Sequence, residues 1–463
     1  MFFRQYYLGC LSHASYLIGD ESTGHAVVVD PQRDVAQYLD DARDHGLTIE
    51  RVIETHFHAD FVSGHLELRD ATGAVISYGP GAVTEFPIDT LRHDQRLALG
   101  EVELEIRHTP GHTPESICIV VREHAGDETP YGVLTGDTLF IGDVGRPDLL
   151  ASTGVTADQL GRLLYRSLRD QLLTLPDATR VFPAHGAGSA CGKQLSTETV
   201  STIGEQRRSN YALADLSEVD FVAQVTADQP AAPPYFPFNA ARNRQVRDAL
   251  AEHDLPTPLD WQTVVEHCAN GAVVIDTRDH VDFAHGHLRG SRNVGLGGRF
   301  AEYSGDVVDP TTPIILVTDP GSELEARVRL GRIGFDRVVG YLDRWPEVFT
   351  AHPDSIATSS RLTATELNGR DRAHLQIVDV RNPGETRLGA IPGARLIPIA
   401  QLTARVRELD AHIPTVVYCA GGYRSSLAAS VLEAHQFADV SDLLGGFEAW
   451  VGAGGDIVTT NAV

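Results

Sequence analysis

The chain has 463 residues, with 63 acidic against 38 basic side chains and a formal net charge of −25. Such an acidic surplus repels nucleic acid and anionic membrane surfaces, so neither is an expected partner. No run of roughly 18 apolar residues is present to cross a bilayer, and a chain of this length predicts about three domains. Its 5 cysteines are scattered, which argues against a disulfide framework and for a reducing, cytoplasmic setting. The opening stretch, Met1 to Tyr7, lacks the apolar core of a secretory signal.

In chain order, Cys10 to Ile18 and His25 to Asp30 read as strands joined by a turn rich in Gly, Ser and Thr. A helix from Val35 to His45 follows, with Val35, Leu39 and Ala42 on one face. Val52-Ile53 then reads as a buried strand, and Leu66 to Asp70 as the start of a helix. Between them stands Thr55-His56-Phe57-His58-Ala59-Asp60-Phe61-Val62-Ser63-Gly64-His65. A strand-to-helix turn of this kind can aim two imidazoles and a carboxylate into one cleft, as a metal site needs.

Downstream, Glu101 to Ile106 alternates as a half-buried strand should and runs into His108-Thr109-Pro110-Gly111-His112-Thr113-Pro114. Ser116 to Val121 is a further strand, Gly132 to Asp137 a short apolar one ending on an acid, and Val181 to Gly186 places His185 after another. Donor groups thus recur at strand ends: His56, His58, Asp60, His112, Asp137 and His185. That recurrence predicts one metal-binding cleft. The loop from Thr138 to Asp148 would rim it. There Arg146 is either a cation for an anionic substrate or an ion-pair partner of Asp143 or Asp148. Cys191 either approaches the metal or is a small buried hydrophobe. Cys10, Cys118 and Cys268 read as structural.

The stretch from Asp228 to Phe238, rich in proline, marks a boundary. Beyond it the chain repeats. Val273 to Arg278 matches Gln376 to Arg381, and Asp276 to Asp379 and Gly290 to Gly393 share an offset of 103. Apolar strands alternating with helices predict two α/β units with parallel sheets. In the second copy, the strand Thr415-Val416-Val417-Tyr418 leads into Cys419-Ala420-Gly421-Gly422-Tyr423-Arg424 and a helix from Ser425. A glycine-rich curl at a helix N-terminus favours a thiolate at Cys419, and Arg424 adds positive charge. The first copy has Asp319 at the cysteine position; a carboxylate cannot carry sulfur and repels anionic donors, so a spacer or docking module is expected there.

The motifs HxHxD, HTPGHT, TGD and PAHG, in this order, resemble the metallo-β-lactamase superfamily. The resemblance implies an αββα sandwich with a metal site along one edge. Binuclear hydrolases of that superfamily carry a histidine directly after the motif aspartate; Phe61 stands there in this chain and donates no lone pair. His56, His112 and Asp137 match the two-histidine, one-carboxylate set of non-haem Fe(II) oxygenases. His58 to His65 and Ala184 to Lys193 resemble the rhodanese-fused branch of the persulfide dioxygenases. That likeness implies one Fe(II) per chain on His56, His112 and Asp137. It puts His58, Asp60 and His185 around those ligands, with completion of a zinc site as the alternative. The Cys-x4-Arg spacing resembles a rhodanese active loop. Cys419 and Arg424 would then be catalytic, and Ala420, Gly421, Gly422, Tyr423 and Ser425 would form the cradle.

The implied architecture is α/β and multidomain: a dioxygenase-like sandwich over 1–228, a proline-rich linker over 229–256, an inactive rhodanese-like domain over 257–355 and a rhodanese domain over 360–463. The implied chemistry is oxidation of glutathione or coenzyme A persulfide by dioxygen to sulfite, coupled to sulfur transfer involving thiosulfate, in a cytoplasmic homo-oligomer. A zinc-dependent thioester hydrolase of the glyoxalase II kind, with an accessory rhodanese domain, is the rival expectation.

Overall fold

The computed structural model describes residues 1–149 and 154–459. The chain forms two compact units, Met1–Gln229 with Phe236–Leu250, and Pro230–Tyr235 with Ala251 onward.

The first unit contains two six-stranded sheets. One runs in sequence order through Phe2–Leu8, His13–Gly19, His25–Val29, Thr48–Ile53, Val75–Tyr78 and Asp89–Thr90. The other is ordered Ser201–Thr202, Arg180–Pro183, Gly132–Gly136, Ile117–Arg122, Val102–His108 and Arg96–Leu99. Period-2 alternation explains how they stack. Tyr16, Ile18, Val27 and Ile53 from one sheet share a buried cluster with Leu104, Ile106, Ile119 and Leu134 from the other. The intervening residues face helices on the outside. Leu17, Val28 and Val52 pack with Val35, Tyr38 and Ala42, while Cys118, Val120 and Val133 pack with Leu164, Leu168 and Phe221. Each such aliphatic side chain contributes roughly 1.5–3 kcal/mol on burial. The result is the αββα sandwich that the motifs imply.

The second unit holds two five-stranded sheets of identical order. The first is Pro258–Leu259, Val338–Leu342, Ile314–Val317, Val273–Asp276 and Arg292–Asn293, parallel throughout. The second is Ser360–Leu362, Val440–Leu443, Thr415–Tyr418, Gln376–Asp379 and Arg395–Leu396, also parallel. Their central strands are buried on both faces, as parallel sheets flanked by helices require. The internal repeat extends to side-chain contacts. Arg278 pairs with Asp276 and donates to the Gly286 carbonyl, and Arg381 does the same with Asp379 and Gly389.

Two elements differ from the sequence reading. Phe2–Leu8 is a strand, and its mixed burial, with no clear alternation, hides it. Within 229–256, expected as a linker, Phe236–Arg242 is a helix, and Phe236–Leu250 belongs with the first unit. No helix of the described residues is long and apolar enough to cross a membrane.

Candidate functional site

Each donor in the first unit leaves the end of a strand: His56 and His58 after Thr48–Ile53, His112 after Val102–His108, Asp137 after Gly132–Gly136 and His185 after Arg180–Pro183. Turns hold them there. Gly136 has φ +49°, and a Cβ on it would lie 2.6 Å from the Thr55 hydroxyl. The strand holding Asp137 and the turn holding His56 can meet this closely because residue 136 is glycine.

His56, His112 and Asp137 each place one ligand atom within 4.8 Å of the others, and all three are buried. His112 Nε2 and His56 Nε2 lie 3.4 and 3.8 Å from Asp137 Oδ2. The opposite ring nitrogens are already assigned. His112 Nδ1 donates to the Arg146 carbonyl at 2.9 Å, so Nε2 carries the lone pair. The Thr55 hydroxyl donates to Asp30 at 2.8 Å and therefore accepts from His56 Nδ1 at 3.0 Å, again leaving Nε2 bare. Burial pushes His112 down to about 4 and, helped by the neighbouring imidazoles, holds His56 well below the usual range. Both rings are neutral ligands at neutral pH. Burial lifts the Asp137 carboxyl to about 6, and neither of its oxygens has a hydrogen-bond partner among the described residues. A buried carboxylate without partners is costly unless a cation compensates it. Two bare imidazole nitrogens and this carboxylate fit a divalent metal ion.

His58, Asp60 and His185 form a second such group, but His58 is otherwise engaged. Its Nε2 lies 3.1 Å from Asp30 Oδ1 and 3.5 Å from Glu54 Oε2. Burial lowers its affinity for protons, yet Asp30, Glu54 and Asp60 outweigh that and raise it to about 9. An imidazolium offers no lone pair. Phe61 is fully buried, its ring 4.0 Å from that of His13 and 4.4 Å from that of His58. The place of a further histidine ligand is filled by hydrocarbon.

The sequence reading did not single out Asp30, Glu54, Glu115 or Asn243. Asp30 carried a usable signal, since it too ends an apolar strand, Val27-Val28-Val29. It accepts from the Thr55 backbone at 2.7 Å as well as from its hydroxyl. Glu115 accepts from the Phe57 N–H at 3.0 Å. Arg146 is buried, and its guanidinium forms a bidentate pair with Asp148 at 2.7 Å and donates to the Ala190 carbonyl. Of its two readings, the ion pair with Asp148 is present in this structure. Cys191 is buried with its sulfur within 4.8 Å of ligand atoms of Asp137 and His185. Burial and the nearby Asp60 and Asp137 carboxylates push its thiol well up. Cys118 is buried, Cys10 half-buried and Cys268 exposed, and none of the three is in a disulfide.

In the second unit Cys419 sits at the end of Thr415–Tyr418, buried beneath the helix Tyr423–Ala434. Its sulfur accepts from the Gly422 N–H at 3.1 Å, with the Ser425 hydroxyl at 3.7 Å. Gly422 has φ +112°, outside the range of ordinary side chains. Ala420 and Gly421 complete the curl. Arg424 forms a bidentate pair with Glu385 at 2.7 and 2.8 Å. The Tyr423 hydroxyl donates to the Gly295 carbonyl of the first repeat at 2.6 Å, so one copy contacts the Cys419 loop of the other. Asp319 lies exposed in that copy.

Residues 8–185 match the metallo-beta-lactamase superfamily, and 260–344 and 363–453 each match the rhodanese-like domain. The "Beta-lactamase hydrolase-like protein" of Agrobacterium fabrum is 32% identical over 239 residues, 45% of this chain and 51% of that protein, so the match spans about half of the relative's length. The mitochondrial persulfide dioxygenase ETHE1 of Bos taurus is 32% identical over 214 residues, 45% of this chain and 74% of that protein. A crystal structure of a metallo-beta-lactamase from Staphylococcus aureus subsp. aureus COL aligns with TM-score 0.67 and 32% identity over 73% of this chain and 98% of that one. With strand-end donors, an αββα sandwich and a doubled parallel sheet behind it, the chain belongs to the metallo-β-lactamase superfamily, related to the persulfide dioxygenases and extended by two rhodanese-like domains.

Proposed function

We propose that the chain is a non-haem iron persulfide dioxygenase that oxidises a low-molecular-weight persulfide, such as that of glutathione or coenzyme A, to sulfite. It would also move sulfane sulfur between persulfide, sulfite and thiosulfate through Cys419, a route of sulfide detoxification. The observation that carries this reading is the set His56, His112 and Asp137, buried together, with Nδ1 of each ring engaged and the carboxylate lacking a geometric hydrogen-bond partner among the described residues. When bound there, Fe(II) supplies one-electron chemistry with dioxygen and leaves positions for a sulfur donor. The protein's own part is orientation: the Arg146 carbonyl fixes the His112 tautomer, and the Thr55–Asp30 pair fixes that of His56. Cys191 places a second sulfur beside Asp137, near where a persulfide would bind.

At Cys419 the thiolate takes the outer sulfur of thiosulfate, its new S–S bond forming as the old one breaks and sulfite leaves. A second thiolate then accepts that sulfur and frees Cys419. The closeness of His58, Asp60 and His185 is what favours the rival zinc hydrolase, and the His58–Asp30 pair and Phe61 oppose it. Oxygen uptake with a panel of persulfides, on protein of known metal content, tests the reading. Iron with persulfide-dependent uptake is expected; zinc with thioester cleavage and no uptake would overturn it.

A further inference from the structure

The segment that follows the sandwich, Phe236–Leu250, lies outside the matched stretch 8–185 yet packs with the first unit. We infer that this segment is a working part of the metal site and that Asn243 is a positioning residue for the turn between His56 and Ser63. The inference rests on the reading of His56 as a metal ligand.

Asn243 is 0% exposed. Its Nδ2 donates to the carbonyls of His58 and Phe61 at 2.8 and 2.9 Å, and its Oδ1 accepts from the Ser63 N–H at 2.9 Å. The orientation of the amide is dictated by its partners. Two carbonyls can only accept and one N–H can only donate, so a flipped amide would lose all three bonds. This stretch of the turn belongs to no helix or strand, and its buried carbonyls need partners that no ladder supplies. One side chain provides them.

Arg247 holds the far end. Its guanidinium donates to the Ser63 carbonyl and pairs with Glu67. Glu67 also accepts from Arg33 and from the Leu250 N–H, both at 3.1 Å. The turn is therefore gripped at 58, 61 and 63 by residues nearly two hundred positions later.

That grip sets two things. The His56 ring lies 4.1 Å from that of His58, so fixing the His58 backbone fixes the surface against which the ligand packs. The Phe61 carbonyl, held by Asn243, keeps the phenyl ring against His13 and His58. Asn243 thus positions the metal ligand and keeps the neighbouring place filled with hydrocarbon.

The test uses full-length protein, stripped of metal, with Asn243→Ser and Asn243→Asp. Asn243→Asp preserves the side-chain shape and the acceptor but loses both donors. The control is Asn239→Leu, since Asn239 is equally buried on the helix that ends just before Asn243 and its amide has no partner among the described residues. Fe(II), handled without oxygen, and Zn(II) are each titrated against a chromophoric chelator. Both Asn243 variants are expected to bind metal about 10- to 100-fold more weakly, the usual effect of losing a group that orients ligands, while Asn239→Leu binds as the wild type does. For a variant of reduced stability, the rise in its unfolding midpoint on adding saturating zinc, measured against its own metal-free form, gives the same comparison. Wild-type affinity in both Asn243 variants overturns the inference, and so does equal weakening in Asn239→Leu, which would mark general loosening. Zinc binding without iron binding in the wild type would instead remove the dioxygenase reading and leave the role of Asn243 measurable with zinc.

Discussion

At the level of single residues, the protonation of Asp137 governs the metal site. Burial raises its carboxyl to about 6, above its ordinary value, so the folded metal-free protein holds this proton more tightly than the unfolded chain. The stability it contributes is present at low pH and is lost as pH rises through about 6. A metal displaces the same proton. Metal affinity is therefore expected to climb about tenfold per pH unit below pH 6 and to level off above it, as chelator competition across pH 4.5 to 8 would show; an unchanging affinity would contradict the role given to Asp137. Phe61 supports a second prediction. Its ring occupies the place of a ligand beside His13 and His58, so Phe61→His should raise the zinc bound per chain from one toward two, as read by elemental analysis. That His56, His112 and Asp137 come together was legible in the sequence because each follows an apolar strand. It left open whether Arg146 pairs with Asp148 and gave no sign that Arg424 pairs with Glu385, because charge complementarity between side chains depends on a geometry that spacing does not encode.

Among the elements, those with strong periodicity were the legible ones. Val102–His108 and the repeated buried strands follow their apolar patterns. Phe236–Arg242 did not, because the prolines around it read as breakers and its amphipathic stretch is short. Its position has a measurable consequence. A chain ended at Asp228, the sandwich boundary expected from the sequence, would lose Asn243 and Arg247, leaving the carbonyls of His58 and Phe61 without these partners. Each buried unsatisfied group costs about 1–3 kcal/mol. That truncated chain should be less soluble and hold less metal than one ended at Leu250, and equal metal content in the two would refute this. In the reactive loop, a Cβ on Gly446 would lie 2.3 Å from the Cys419 carbonyl, and φ there is +57°. Gly446→Ala should lower thiosulfate sulfurtransfer at least tenfold while oxygen uptake stays near normal, since the clash bears on the loop alone.

Across the whole molecule, the two proposed chemistries fall in two compact units, which predicts that they separate genetically. Cys419→Ser should abolish sulfurtransfer and leave persulfide-dependent oxygen uptake intact. Simultaneous loss of both would show that the division proposed here is wrong. The duplicated sheets were legible from the shared offset of 103, because buried parallel strands tolerate little variation in pattern. The Tyr423 contact to Gly295 was not, since it joins one copy to the other through a side chain and a backbone carbonyl.

The Asp–Arg pair is repeated in both copies, the one with Asp319 and the one with Cys419. Asp276 and Arg278 retain the same bonds as Asp379 and Arg381, down to the glycine carbonyl that each arginine meets. Asp319 meanwhile replaces the sulfur carrier. The brace that shapes the strand end is therefore independent of whether a thiol or a carboxylate follows, and the copy with Asp319 also offers the carbonyl that seats Tyr423.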